Sequence, residues 1–245
     1  MAKSDLGTKR ICPTTGKKFY DLNKNPVISP YTGEVVPIAP IPPPRTRADA
    51  AARAVDDAVL AFGGLDILVC NAGFLSAGPI DQMEEDTFTR HFSVNVGGYF
   101  LAAREAVRVM KAAGRGGAIL FNASKGAFAP TADNAAYASS KAAVAALARN
   151  LATELGAHGI RVNYVNADFV DTPLMRRLIE QRAALRGVTV AAQTEEYRQR
   201  NLLGVGPIPS AAVAEAALYL VSDRARYTTG AVLTVDGGIK EAMPR

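Results

Sequence analysis

Tyr137 and Lys141 stand four residues apart in the segment Y-A-S-S-K. Within an alanine-rich run of helical character, that spacing puts both side chains on one face about one turn apart. An ammonium beside a phenol favours the phenolate and lowers a pKa that is about 10 in water, which suits tyrosine to exchanging a proton with a substrate. Ser124 lies 13 residues before Tyr137 and just after the apolar run ending Phe121-Asn122. A loop at the carboxyl end of a strand would set its hydroxyl in a crevice, where it can hold the oxygen of an alcohol or carbonyl. The chemistry these three residues can do is general acid–base transfer at an oriented substrate oxygen. A lone Y-x-x-x-K also occurs on ordinary surface helices, so the elements that position it must carry the reading.

Alternating helix-like and strand-like segments supply those elements and predict a parallel sheet with crossover helices. The patterning predicts helices at 47–62, 83–113, 135–157, 173–183 and 210–224, and strands at 66–70, 117–122, 160–166 and 231–235. Gly63-Gly64 can end the first helix with a left-handed cap, and Leu65-Asp66-Ile67-Leu68-Val69 follows as an apolar strand expected to be buried on both faces.

The sequence has 245 residues, 49% hydrophobic and 21% charged, which allows one α/β domain with a substantial core and excludes a fibrous or disordered chain. No apolar run is long enough to span a bilayer, and the charged start M-A-K-S-D-L-G-T-K-R lacks an apolar core behind it, so neither a membrane association nor a signal peptide is expected and the expected location is cytoplasmic. Cys12 and Cys70, with His91 and His158, make no legible disulfide framework or metal cluster. The net charge of +5 is local: residues 1–47 hold 8 basic and 3 acidic side chains, and the remaining 20 and 20 cancel. A basic balance confined to one arm argues against nucleic acid as a partner of the whole chain.

Eight of the 14 prolines lie in residues 1–44, closing with Pro40, Pro42, Pro43 and Pro44 before the alanine-rich run begins. The organisation this predicts is an N-terminal segment (1–39), a Pro-rich linker (40–47) and a main domain (48–245).

The ordered series L-D-I-L-V-C-N-A-G (65–73), V-N-V-G-G-Y-F (94–100), G-G-A-I-L-F-N-A-S (116–124), Y-A-S-S-K (137–141), G-I-R-V-N-Y-V-N (159–166) and T-T-G-A-V-L-T-V-D-G-G (228–238) resembles the short-chain dehydrogenase/reductase family across residues 45–245. The resemblance implies Tyr137 as general acid/base, Lys141 lowering its pKa and binding the nicotinamide ribose, and Ser124 orienting the substrate oxygen. It further implies that Asn95 holds the water linking Lys141 to the proton relay, that Asn71, Ala72 and Gly73 form a turn against the cofactor, and that Thr172 meets the nicotinamide carboxamide. NAD or NADP is the implied cofactor, a small molecule the substrate, and a homodimer or higher oligomer, through the 83–113 and 135–157 helices, the implied assembly. The stretches E-E-Y-R-Q-R-N-L-L and T-V-D-G-G-I-K-E-A-M-P-R look most like the dehydrogenase half of bifunctional rhamnulose-phosphate aldolase/alcohol dehydrogenases, which implies a small hydroxyaldehyde or sugar-derived alcohol. Residues 173–207 would set its identity.

Two positions depart from the family pattern. Cys70 replaces the first asparagine of N-N-A-G, and Ala167-Asp168 stands where Pro-Gly is usual. An acidic side chain there either points at substrate or caps the next helix.

A dinucleotide fold also uses a glycine-rich turn after its first strand, leading phosphate to a helix N-terminus. No T-G-x-x-x-G-x-G precedes residue 45; Gly204-Val205-Gly206 follows no strand and Gly114-Arg115-Gly116 precedes one. The expected fold is therefore a truncated Rossmann-like, doubly wound sheet of about four parallel strands, without the first three. Cofactor binding would be weakened or lost, and an active oxidoreductase stands beside a catalytically silent remnant or interaction protein, or two coding segments joined near 40–47. In the segment's place stands C-P-T-T-G-K-K-F-Y-D-L-N-K (12–24) followed by S-P-Y-T-G (29–33), similar to a small bacterial family named for its F-Y-D-L-N motif. Cys12, Thr15, Ser29 and Thr32 occupy the ligand positions of a degenerate zinc ribbon, in which one thiolate of four cannot build a structural site. A hairpin around Ser29–Gly33, with Val27-Ile28 and Val35-Val36 as arms, is expected.

Overall fold

The computed structural model describes residues 9–12, 14, 15, 17–20, 22, 24, 26–36 and 46–239, and the chain divides into two units, Met1–Arg45 and Thr46–Arg245. Residues 40–45 of the expected linker lie outside the described residues, while Thr46 caps the first helix of the second unit and Arg47 opens it, so the linker does not reach 47.

The first unit contains an antiparallel pair, β1 (Lys9–Ile11) and β2 (Lys18–Tyr20), which the sequence reading did not anticipate. The expected hairpin is present beyond it: Ser29 N–H donates to Glu34 O at 2.9 Å and Val36 N–H to Val27 O at 2.8 Å, around an Ile28–Val35 bridge. Cys12, Phe19, Val27 and Val36 bury one another as a small core. The four ligand-like positions converge, with Cys12 Sγ 3.8 Å from Thr32 Oγ1. Hydrogen bonds from Ser29 and then Thr15 hold the thiol down to a pKa of about 6. Hydroxyls thus solvate the thiolate from the places where further thiolates would stand.

In the second unit, α1 (Arg47–Phe62) starts at a capping box in which Thr46 and Asp49 satisfy each other's backbone N–H groups, and it ends at Gly63 in the left-handed conformation, φ 78°. The elements that follow are β3 (Ile67–Cys70), α2 (Glu85–His91), α3 (Gly98–Ala113), β4 (Gly117–Asn122), α4 (Ala135–Leu155), β5 (Ile160–Ala167), α5 (Pro173–Arg186), α6 (Val190–Gln199), α7 (Ser210–Val221) and β6 (Val232–Val235). The four strands from β3 onward form one parallel sheet in the order β3-β4-β5-β6.

Period-two alternation along β4 decides which helices cover which face. Ile119 and Phe121 turn to a core shared with Tyr99, Ala103 and Met110 of α3 and Val144, Ala148 and Leu155 of α4, while Leu120 turns to Ala216 and Leu220 of α7. Helices therefore cover both faces, as a doubly wound sheet requires. Small residues make α4 fit closely, since Ala145, Ala148 and Ala152 are among its positions buried in this core.

Two expected spans need correction. Residues 83–113 are not one helix: a π-helical turn, Phe92–Gly97, separates α2 from α3 and carries Asn95. Within 173–207, α5 is joined by a second helix, α6, whose polar composition hid its short apolar face. At the sheet's start, β3 has a hydrogen-bonded neighbour on one side only among the described residues; its Leu68 and Cys70 face the core, while Ile67 and Val69 are 46% and 50% exposed. Among the described residues, no helix is long and apolar enough to cross a membrane.

Candidate active site

Three adjacent parallel strands deliver the candidate residues at their carboxyl ends: Asn71–Gly73 after β3, Ser124 after β4 and Asp168 after β5. The fourth source is the first two turns of α4, which carry Tyr137 and Lys141.

Lys141 is 3% exposed and donates from Nζ to the carbonyl oxygen of Asn122, the last residue of β4, at 2.6 Å. Its ammonium also lies 5.4 Å from the Tyr99 ring centroid and 5.8 Å from that of Tyr137, within cation–π range. Burial lowers its pKa to about 8. Gly73 brings the β3 turn to the same place, since a Cβ there would sit 3.7 Å from Asn95 Oδ1 and 3.8 Å from Lys141 Nζ. Asn71 and Ala72 are exposed beside it, and Asn71 Oδ1 accepts from Asn122 Nδ2 at 2.6 Å, tying the ends of β3 and β4 together.

Asn95 is fully buried and organises this junction. Its Oδ1 accepts from Phe74 N–H at 2.7 Å, and its Nδ2 donates to Phe74 O at 3.0 Å and to Ser140 Oγ at 2.9 Å. Ser140 in turn donates to the Tyr137 carbonyl at 2.8 Å. Both amide hydrogens are thus in use, and the remaining acceptor capacity of Oδ1 is what could serve a water beside Gly73 and Lys141. The π-helical turn is the local distortion that sets Asn95 at this position.

Tyr137 departs from the simple expectation for a tyrosine beside a lysine. Burial raises the phenol above its ordinary value, the hydrogen bond with Ser124 pulls it down, and the charge of Asp168 pushes it up again. A lysine whose own charge is disfavoured by burial does not outweigh these effects. Ser124 Oγ also accepts from Gly126 N–H at 3.2 Å, which fixes the hydroxyl at the start of the turn Lys125–Ala127.

Of the two roles open to Asp168, the capping role belongs instead to Thr172, whose Oγ1 accepts from Met175 N–H at 3.1 Å ahead of Pro173 at the start of α5. Asp168 lines a cavity of about 220 Å³ together with Ser124, Tyr137 and Thr172, and its Oδ2 lies 3.9 Å from Lys125 Nζ. Burial raises its pKa, opposed by Lys125 and then Arg200. Phe169, next in sequence, is an aromatic residue in the left-handed region, φ 50°, buried and stacked on Tyr197 with centroids 5.3 Å apart.

All eight candidate residues therefore gather at one end of the sheet, in two sets. Ser124, Tyr137 and Thr172 line the cavity; Asn71, Ala72, Gly73, Asn95 and Lys141 form the junction of β3, β4 and α4. The sequence reading missed Lys125, Arg182, Tyr197 and Arg200 in the cavity wall. It also missed His91, fully buried, whose Nδ1 meets Thr87 O at 2.8 Å and whose Nε2 accepts from Ser76 N–H at 3.1 Å beneath the Phe74 ring. Adjacency to Ser124 was the one legible signal for Lys125; the others depend on α6 and on a helix–loop contact.

A family model described as "Enoyl-(Acyl carrier protein) reductase" matches residues 45–240, and a family of proteins of unknown function carrying the FYDLN name matches residues 1–60. The chain is 39% identical over 206 residues to the uncharacterized oxidoreductase YuxG of Bacillus subtilis (strain 168), covering 82% of this chain and 29% of that protein. It is 42% identical over 191 residues to momilactone A synthase of Oryza sativa subsp. japonica, covering 77% of this chain and 67% of the other. Among solved structures, carveol dehydrogenase from Mycobacterium avium in complex with NAD superposes with a TM-score of 0.71 at 29% identity, covering 78% of this chain and 70% of that one. The match thus spans less than a third of YuxG and about two thirds of the rice protein.

Proposed function

This chain belongs to the short-chain dehydrogenase/reductase family, and we propose that it transfers a hydride between NAD(P) and a small alcohol or carbonyl compound. The observation that carries this reading is the convergence of Ser124 and Tyr137 on one cavity, with Lys141 and Gly73 packed directly behind.

Members of the family bind NAD(P), and the residues here fit its nicotinamide end. Lys141 offers an ammonium, Asn71, Ala72 and Gly73 offer an exposed backbone turn beside it, and Thr172 stands at the cavity's far wall. A bound nicotinamide dinucleotide supplies the two-electron acceptor or donor. In carbonyl reduction, Ser124 holds the substrate oxygen by hydrogen bond, and Tyr137 Oη gives that oxygen its proton as the C–H bond forms. In alcohol oxidation, the hydroxyl proton passes to the Tyr137 phenolate oxygen while the C–H bond breaks with its electron pair. A phenol above its ordinary pKa is protonated at neutral pH, so the site stands ready as a proton donor. Asn95 and Ser140 act on Tyr137 through its backbone carbonyl and so position it.

The pyrophosphate end fits less well, since among the described residues no strand runs through a glycine-rich turn into a helix N-terminus. We therefore read the second unit as a Rossmann-like sheet without its first three strands, with weakened cofactor affinity. The segment 1–39 reads as a degenerate zinc-ribbon-like unit and the proline-rich stretch before Thr46 as a linker. A homodimer or higher oligomer and a cytoplasmic location belong to the same reading.

The bare side of β3 favours a second reading, a catalytically silent chain that pairs with another protein. Ile67 and Val69 are exposed there, and Leu60 and Phe62 at the end of α1 are 84% and 85% exposed. Calorimetric titration of the full chain with NADH and NADPH, followed by a turnover assay of wild type and Tyr137→Phe, separates the two. Binding together with turnover that Tyr137→Phe lowers by a factor of about 100 to 10,000 supports the dehydrogenase. No binding at millimolar cofactor refutes it for this chain.

A further inference from the structure

We propose that the cavity beside Tyr137 selects a small alcohol or carbonyl compound bearing a carboxylate or phosphate group, and that Arg182 and Arg200 hold that group. The proposal deepens the dehydrogenase reading and rests on it for the identity of the reacting centre.

On α5 and α6, Arg176 pairs with Asp171 at 2.8 Å, Arg198 with Glu195 at 3.0 Å, and Arg186 with Glu196. Arg182 and Arg200 line the cavity, and among the described residues neither has a carboxylate within 4.0 Å, although the charge of Arg200 reaches Asp168. What holds them is Tyr197. Arg182 Nη1 donates to the tyrosine hydroxyl, and both guanidinium carbons lie 5.8 Å from its ring centroid. Tyr197 is itself 5% exposed and stacked on Phe169, so the two cations rest on a fixed aromatic surface.

The charge balance of the cavity points the same way. Its wall carries Lys125, Arg182 and Arg200 and one carboxylate, Asp168. Lys125 lies 3.9 Å from that carboxylate and Arg200 acts on it less strongly, so the two guanidinium groups are the cations best placed to meet an anion in the cavity. A pair of planar guanidinium forks matches the oxygens of a carboxylate or phosphate, and a partly desolvated position strengthens the match.

Size limits the ligand. The cavity of about 220 Å³ holds roughly seven waters at ~30 Å³ each, which suits a compound of three or four carbons. An adjoining hollow of about 320 Å³ shares Arg182 and Arg200, so the arginines stand at the mouth between the two and leave room for an anionic group. Arg186 in that second hollow is already neutralised by Glu196, which makes Arg182 and Arg200 the anchor.

The test is calorimetric titration of the full chain with three probes that share a carbon skeleton: glycerate, glycerol 1-phosphate and glycerol. Each is titrated into wild type, Arg200→Gln and, as a remote control, Arg115→Gln, which alters an exposed arginine paired with Asp66. At least one anion should bind ten times more tightly than glycerol, Arg200→Gln should weaken it tenfold or more, and Arg115→Gln should leave it unchanged. Whichever anion binds better identifies the carboxylate or the phosphate as the group selected. Arg200 makes no side-chain hydrogen bond within the described residues, so its variant should fold normally, as a melting curve will check. Equal binding of glycerol and both anions, or an anion affinity untouched by Arg200→Gln, would overturn the proposal. Failure of the dehydrogenase reading looks different, because anion binding would then persist, including in Tyr137→Phe, without turnover. Turnover of neutral alcohols with no anion preference would leave that reading standing and remove this one.

Discussion

Lys141 donates from Nζ to the backbone carbonyl of Asn122 at 2.6 Å, so the cation of helix α4 is anchored on the end of strand β4 rather than on a carboxylate. Among the described residues no carboxylate pairs with it, and burial lowers its pKa from 10.5 to about 8. Above about pH 8 the folded chain releases a proton that the unfolded chain keeps until 10.5, so this group adds stability as pH rises through that window and gives it up again below it. A difference of 10.5 minus about 8 corresponds to about 3 kcal/mol. Urea unfolding of wild type and Lys141→Met should therefore show the wild type gaining up to that amount relative to the variant between pH 8 and 10.5. Parallel profiles would mean that the ammonium is solvated.

Tyr137 provides a second titration with defined signs. Its phenol should ionise above the ordinary 10.0, seen as the ultraviolet difference between wild type and Tyr137→Phe. Asp168→Asn removes a negative charge that opposes the phenolate and should shift the transition downward. Ser124→Ala removes a hydrogen bond that favours the phenolate and should shift it upward. Shifts in the same direction for both variants would show that a general loosening, not these two contacts, sets the pKa.

Asn95 joins three segments through one amide: Phe74 in the β3 loop, Ser140 on α4 and, by way of Ser140, the Tyr137 carbonyl. Asn95→Ala leaves the half-buried backbone N–H and C=O of Phe74 without this partner and should cost about 2 kcal/mol, at roughly 1 for each partly solvated group. Ser140→Ala should cost less. Because the two side chains share a bond, the double variant should be less unstable than the sum of the singles. Additive losses in denaturant unfolding would rule out a connected network.

The strands and the proton-transfer pair were legible for a physical reason: β3 to β6 are apolar runs bounded by glycine, and Tyr137 and Lys141 sit on one continuous helix, so local periodicity suffices. What escaped the sequence depends on contacts between distant segments. Asn95 sits in a π-helical turn inside what periodicity reads as one helix, because its amide is drawn to Phe74, 21 residues earlier. The sequence left Asp168 open between cap and cavity, since both need an acid at that place; the choice is made by Thr172, which takes the cap, and by Lys125, which draws the carboxylate inward. Arg182 and Arg200 look like solvated arginines until α6 folds Tyr197 beneath them.

Gly206 tests that dependence, because it packs against Phe169, the ring stacked on Tyr197. Gly206 has φ +127°, and a Cβ there would lie 2.3 Å from Phe169 Cδ1 and 2.5 Å from Cε1. Phe169 has little freedom to yield, being 2% exposed, held at φ 50° and stacked on Tyr197. Gly206→Ala should lower stability by about 2 to 6 kcal/mol, combining a strained backbone region with overpacking at roughly 1 to 3 each. Displacing Phe169 also tilts the surface on which Arg182 and Arg200 rest, so the same variant should lose anion affinity. Gly204→Ala is the informative comparison: its φ is +58°, and a Cβ there meets nothing within 4 Å. That variant should lose only about 1 kcal/mol for the left-handed backbone and keep its ligand affinity. Equal losses in the two variants, with anion binding intact in both, would show that Phe169 repacks freely and that the arginines do not depend on it.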